Sequence, residues 1–582
     1  MPPAQKHTRR RGGVAPGWNT QSAPQKGAAP IESTSVSGAP PTQPLPPAES
    51  RWARASRLFR PSHAHSAYTA SILLATSSFL SSVIGLGRGK FIAWRFGAGP
   101  QTDAYVAAFR LPDLMNNFLV GGAVAITFVT ILNRYRECGE EDDGERLLFT
   151  VLNLMVLVLT AATVVLMFLA GPFIHFTNKG FTPEQVALCA RMTRILLPAQ
   201  IFLFAGSVIG ATLLVRKQFM YQALQPIVYN LCIIAGGVFL GYMGVSGLAI
   251  GATVGFLLGS FALNAWGAAR IGVHYRWGID LHHPGLRIWL QMTLPLMLGF
   301  GLPFLDQYFA GYYASGTVGD ITRLNNAKQL FSAPMSMLAV AAGVASLPFF
   351  SQLWAKGKHY DFAVGVADSV SRVVALGFLV SSAMVAMAQP IVGLIFGGGR
   401  FTPNDVRLTA LFFGLYTISL FLWSAQAIYA RSFYAAGITW LPMLASTIIL
   451  LIAFPLYRLG NAWFGTAGLA MASDAGIALQ AVTLAVLLHK RRMVSLASLD
   501  YVEMRRCLVA GVVSGVAVWT AIWVLGALPI KALHSQLPSH IRWTDLGMLV
   551  LGSALWVVAA KWVLEKTGSV LPGVAMKRLG LG

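Results

Sequence analysis

Gly180-Phe181-Thr182-Pro183-Glu184-Gln185-Val186 returns later in the chain as Arg400-Phe401-Thr402-Pro403-Asn404-Asp405-Val406. Sliding the sequence against itself by about 220 residues brings the two copies into register. The same displacement pairs Gly247-Leu248-Ala249 with Gly468-Leu469-Ala470, and Gly99 and Asp103 with Gly316 and Asp320. An even number of crossings returns a chain to the side it left, so two six-helix halves in the same orientation follow. Parallel repeats related by an axis along the membrane normal are a transporter device, with the substrate path between the halves.

The composition requires a membrane. Of 582 residues, 55% are hydrophobic and 11% charged, which excludes a string of soluble domains. Apolar stretches of about 20 residues, enough to cross a bilayer, recur from residue 67 onward. They must be helical, because backbone without partners cannot face hydrocarbon. Breaks at polar, Pro and Gly positions predict about fourteen helices. Their expected starts are near Ala67, Thr102, Arg146, Pro183, Met220 and Val245, then Leu286, Val318, Phe362, Pro403, Ile438 and Trp463, with a last pair near Met504 and Thr544. The expected fold is an all-α polytopic membrane protein. A disordered basic tail (1–66) precedes an N-lobe (67–272). A C-lobe (273–490) follows, preceded by a cytoplasmic linker, and 491–582 supplies two helices outside the repeat and a C-terminal tail.

A net charge of +22 suggests nucleic acid in a soluble protein, but in a membrane protein Arg and Lys collect in cytoplasmic loops for topological reasons. No nucleic-acid partner is expected. With the N-terminus inside, Arg134, Arg136, Arg216, Lys217, Arg270, Arg276, Lys356, Lys358 and Lys490 to Arg492 all fall on the cytoplasmic side, against few on the other. Both termini are then cytoplasmic. Cys138, Cys189, Cys232 and Cys507 are too scattered for a zinc site or a disulfide framework.

Charges within apolar helices cost about 2.5–3.5 kcal/mol each on insertion scales, so they need a partner, water or an interface. The candidates are Arg88, Lys90, Asp103, Arg110, Asp113, Asp306, Asp320, Arg323, Lys328, Asp368, Arg372 and Asp474. They concentrate in the first two helices of each half, which would face a central cleft. An excess of Arg and Lys there attracts an anion, phosphate above all. Gly247, Gly251, Gly255 and Gly259 recur every four residues and read as a helix-packing face. Gly85, Gly87 and Gly89 before Lys90 lack the flanking residues of a phosphate loop. No nucleophile elbow, zinc-protease helix or kinase set occurs, so neither an enzyme, a cofactor nor a metal is expected.

Phe96-Gly97-Ala98-Gly99, followed by Thr102-Asp103-Ala104-Tyr105-Val106-Ala107-Ala108-Phe109-Arg110-Leu111-Pro112, resembles the hallmark of the MurJ/MviN family of lipid II flippases. Gly85, Arg88, Pro334 and Leu347-Pro348 add to the resemblance, which covers about residues 67 to 565. The family belongs to the multidrug/oligosaccharidyl-lipid/polysaccharide exporter superfamily, in which two six-helix lobes alternate access around a central cavity. The resemblance implies transfer of undecaprenyl-pyrophosphate-linked peptidoglycan precursor across the bacterial cytoplasmic membrane, with cavity arginines on the pyrophosphate and the last two helices grooving the lipid tail. Arg88 and Asp103 stand at positions the family uses. Ser82, Asn116, Asn117, Gly121 and Gln329 stand where the family usually carries Arg or an acid, so the substrate could be recognised differently.

On this reading Arg88, Lys90, Arg110 and Lys328 meet the pyrophosphate. Asp103, Asp320 and Arg323 form gate or structural ion pairs, the two acids between lobes, and Asp306 and Asp474 are membrane acids suited to cation coupling. The expected partners are lipid II, membrane lipids and cell-wall synthesis machinery. Two alternatives stay open: a flippase for another polyprenyl-linked glycan, and a transport-inactive scaffold of the envelope machinery.

Overall fold

The computed structural model describes residues 67–117, 123–297, 302–527 and 543–569. The tail expected over 1–66, Gly121 and the C-terminal tail beyond 569 lie outside these. The described residues form helices and no strand. In the first half Ala67–Phe96 leads to Pro100–Ala108, Arg110–Met115 and Ala123–Glu137. Glu141–Thr177, Pro183–Leu196 with Ala199–Val215, and Met220–Phe239 come next. Ser246–Gly255 then continues through the π-helical Phe256–Ala262 to Leu263–Arg270. The second half runs from Pro284–Met297 and Leu302–Ala314 to Asp320–Met335, π-helical Ser336–Val340 and Ala341–Ala355. It continues with His359–Ala386, Ala388–Phe396, Pro403–Ile418, Leu420–Ala435 and Trp440–Lys490. This last helix is broken at Gly465, whose φ of 58° leaves the helical region. Tyr501–Ala527 and Trp543–Lys566 close the chain.

Eight of the described helices are long and apolar enough to cross a bilayer alone, and nine if the bent pair Pro403–Ile418 and Leu420–Ala435 counts as one. The expected total of about fourteen requires the remaining interrupted helices to be counted as single crossings. Phe168, Leu451 and Trp523 point outward, 78%, 72% and 67% exposed, as lipid-facing side chains do. The protein is a multi-pass membrane protein.

The repeated heptapeptide is a helix start. Thr182 accepts the Gln185 amide at 3.3 Å while Gln185 accepts that of Thr182 at 3.0 Å, with proline at the first helical position. Thr402 and Asp405 repeat this capping box at 3.2 and 2.8 Å. The glycine ladder is a packing face. Gly247, Gly251, Gly255 and Gly259 lie in turn against the backbone at Gly236, Cys232, Tyr229 and Gln225 of Met220–Phe239, and Gly468 repeats the contact against Gly460.

Burial reveals how the halves meet. Toward the turns at 96–100, 177–183, 314–320 and 396–403, one apolar cluster takes residues from both halves, among them Ala104, Cys189 and Leu248 with Leu324, Phe396 and Phe413. Toward the opposite face the core divides. Phe128, Leu147 and Phe204 belong to one cluster, and Phe350, Phe362 and Leu484 to another. The repeat assigns Pro284–Met297 to the C-lobe, yet this helix packs on the first half, with Trp289 against Phe128 at 5.9 Å.

Replacing Gly251 by Leu puts a side chain into the Cys232 carbonyl and the Gly236 backbone. Overpacking of this kind costs about 1–3 kcal/mol. The expected result is a lower melting temperature in detergent, whereas Gly87→Leu, with no atom near its added Cβ, leaves it unchanged.

Candidate substrate cavity between the lobes

A cavity of about 390 Å³ lies where the two halves face each other, just inside the shared cluster. Arg88, Gly89 and Ile92 line it from the first helix. Thr102, Tyr105, Arg110, Asp113 and Tyr229 complete the N-lobe wall, and Asp306, Gly311, Thr322, Asn326, Lys328, Gln329 and Tyr416 form the C-lobe wall. The two short helices Pro100–Ala108 and Arg110–Met115 bring polar side chains to it at successive turns.

The cations differ in how they are held. Arg88 is half-buried with its guanidinium 5.9 Å from the Tyr229 ring centroid, and no carboxylate pairs with it among the described residues. Arg110 is only 5% exposed. It donates to Asn178 Oδ1 at 2.6 Å, and its guanidinium lies flat on Gly311 of the other lobe, where any Cβ would overlap it. Tyr308 caps the Arg110 carbonyl at 2.8 Å. Lys328 pairs with Asp306, which also accepts the Tyr457 hydroxyl. Lys90 does not join them: it lies off the lining, and its ammonium donates to the Leu394 carbonyl at 2.9 Å. Residues two apart on a helix point about 200° from each other, so Arg88 and Lys90 cannot share one cavity wall. Gln329, where the resemblance leads one to expect an arginine, donates to the Gly85 carbonyl at 3.3 Å across the lobe boundary.

Closure on one face rests on Asp103. Its carboxylate accepts the Gly319 amide at 2.6 Å, the Thr322 amide at 2.9 Å and the Thr322 hydroxyl at 2.6 Å. These donors are the N-terminal end of Asp320–Met335, where a negative charge is favoured. Gly180 N to Ser315 Oγ at 3.1 Å and Arg400 N to the Trp94 carbonyl at 2.9 Å join the lobes on the same face. Asp320 departs from its expected place between lobes. Arg323 donates to it at 2.6 Å, Thr466 donates to it as well, and Arg323 binds Asp405 at 2.7 and 2.9 Å, all inside the C-lobe. Arg323 thus supplies the structural ion pair and removes Asp320 from the gate.

Asp306 carries its own countercharge in Lys328, which corrects the expectation of an acid open to a cation. Asp474 is half-buried, with one carboxylate oxygen enclosed and without a hydrogen-bond partner. No group of three metal-ligating side chains occurs among the described residues. Asp368 and Arg372 form an exposed pair at 3.6 Å, away from the cavity. The tyrosines Tyr229, Tyr308, Tyr416 and Tyr457, with Asn178, escaped the sequence reading because an uncharged polar residue in an apolar helix carries no signal of its own.

The cavity belongs to a known pattern. The family model described as "Lipid II flippase MurJ" matches residues 92–533. A lipid II flippase MurJ of Burkholderia cenocepacia is 26% identical over 440 residues, covering 72% of this chain and 83% of its own. A probable lipid II flippase MurJ of Vibrio cholerae is 24% identical over 482 residues, covering 79% and 91%. A solved lipid II flippase MurJ in an inward closed conformation superposes with a TM-score of 0.68 at 19% identity, covering 85% of this chain and 99% of that one. An inward-facing multidrug transporter of the MOP superfamily superposes at 0.57 and 14% identity, covering 73% and 98%. The chain therefore belongs to the lipid II flippase MurJ family, whose members are transporters and not enzymes.

Proposed function

We propose that the cavity receives the pyrophosphate head of lipid II on the side where the lobes are parted and releases it on the side that Asp103 holds shut. The observation that carries this reading is the juxtaposition of Arg88, Arg110 and Lys328 around one interlobe space, closed at one end by hydrogen bonds between lobes. A pyrophosphate cannot enter hydrocarbon, because the desolvation of such charges costs many kcal/mol. Arginine forks and an ammonium replace its water inside a low-dielectric wall. Lys328 leaves Asp306 for the substrate, and Tyr457 keeps a hydrogen bond on the acid left behind.

The basic loops lie at the face where the cores divide, so that face is cytoplasmic by the positive-inside rule. The structure is then the inward state of a bacterial inner-membrane flippase whose termini are cytoplasmic. An apolar groove of about 370 Å³ lined by Phe378, Phe421, Leu508, Val512 and Trp519 suits the polyprenyl tail. Cell-wall synthesis machinery is the partner that would take up the product. A second reading, another polyprenyl-linked glycan, draws on Ser82, Asn117 and Gln329 in place of arginines.

Complementation of a bacterium depleted of its own lipid II flippase tests the proposal, with lipid II at the outer leaflet measured beside growth. Rescue is expected. Failure at normal membrane abundance favours the second substrate, and rescue that survives loss of every cavity charge points to a scaffold. In the rescued strain Arg88→Ala should abolish transport without lowering abundance; full transport would remove Arg88 from the site.

Asp103→Ala removes three hydrogen bonds to a charged acceptor, each worth about 1.5–3 kcal/mol. A cysteine placed at the buried lining residue Ile321 should then react at least about ten-fold faster with an impermeant thiol reagent added outside. Unchanged protection would mean that other contacts keep this face closed.

A further inference from the structure

The linker between the halves has no regular secondary structure from Val273 to Asp280, and both its ends are tied down by the buried Val273 and His283. Between them every second residue is large and apolar. Tyr275, Trp277, Ile279 and Leu281 are 55%, 90%, 45% and 61% exposed, so the protein itself covers none of them fully. The linker is fastened along Glu141–Thr177. Asn153 Nδ2 donates to the carbonyls of Arg276 at 3.3 Å and Gly278 at 2.9 Å, Asn153 Oδ1 accepts the Tyr275 hydroxyl at 2.7 Å, and Thr150 Oγ1 accepts the Asp280 amide at 3.3 Å.

That attachment fixes a depth. Large exposed apolar side chains on Glu141–Thr177 begin at Leu157 and end at Phe176. At 1.5 Å per residue this stripe is about 28 Å long, matching a hydrocarbon core of about 30 Å. Asn153 lies about 6 Å beyond its end and Thr150 about 10 Å, within the headgroup layer. Trp and Tyr prefer this layer because one part of each ring system is apolar and another bonds to water or headgroups.

We propose that residues 275–281 form an interfacial strap whose Trp277, Ile279 and Leu281 side chains enter the bilayer at the Glu141 end of the helices, beside Tyr275 held on Phe149 and Asn153. The occupant of this surface is lipid. Insertion is apolar and not electrostatic, because Arg276 is already bound to Asp142 at 2.9 Å. The strap thereby holds the join between the two lobes at a fixed height while they move.

The test uses the full chain with Trp277→Cys, with Cys138 and Cys232 replaced by Ser, labelled with an environment-sensitive fluorophore and reconstituted into phosphatidylcholine vesicles. Lipid brominated near the headgroup end of its chains is expected to lower the emission about two-fold. High salt should not change this, and a label on Lys356→Cys, in an exposed turn, should be unaffected. Emission from position 277 that matches the Lys356 label and resists quenching would overturn the proposal. So would quenching that needs anionic lipid and disappears in high salt. Folding is checked by the melting temperature, which substitution of so exposed a side chain should leave in place.

Discussion

The carboxylate of Asp103 reaches from one half of this protein to the other and holds them together at one face. Asp103 takes three hydrogen bonds from Gly319 and Thr322, at a helix end where backbone amides have no partner of their own. In an apolar surrounding such a bond is strong while made and costly while broken unless water replaces it. That property suits a closure that must be firm when shut and opens only when solvent can enter. The cavity lies immediately behind it, and the cavity's cations would be untenable in lipid without the water or anion that closure confines there.

The two halves descend from one pattern, but the pattern has been broken where it matters. Asp103 and Asp320 are equivalent in the repeat, yet Asp103 crosses to the other lobe and Asp320 does not. The difference arises beside them. Gln185 of the first capping box becomes Asp405 in the second, and Asp405 draws Arg323, which also binds Asp320. One added acid and one added base convert a potential gate residue into part of a rigid lobe. The charged part of the closure thus comes from one acid of one lobe, beside the neutral contacts of Gly180 with Ser315 and Arg400 with Trp94.

Much of this was legible in the sequence because it is local or repeated. The Phe-Thr-Pro heptapeptides announce helix starts by their capping chemistry, and the helices beginning at Pro183, Met220 and Pro403 begin where expected. The glycine ladder announced a packing face by its four-residue spacing, and the structure supplies Met220–Phe239 as its partner. Arg88, Arg110 and Lys328 were readable as cavity residues because charge inside an apolar run demands an explanation. Lys90 carried the same signal and misled, since only the rotation of the helix separates it from Arg88. Nothing in the sequence marked Tyr229, Asn178, Tyr308 or Gly311: the first two meet Arg88 and Arg110 from distant parts of the same lobe, and the last two reach Arg110 from the opposite lobe. The placement of Pro284–Met297 on the first lobe was equally hidden, because repeat symmetry speaks for equivalence and the packing of Trp289 on Phe128 departs from it.

Transport through this cavity requires the lobes to exchange which end is closed when lipid II is present. Spin labels at Glu184 and Asn404, both exposed near the closed face, and at Ala269 and Lys490, both exposed at the opposite face, report the two ends in pulsed electron resonance distance measurements. With lipid II added, a population with a longer Glu184–Asn404 distance and a shorter Ala269–Lys490 distance should appear together. If both distances stay fixed with lipid II bound, alternating access through this cavity is contradicted.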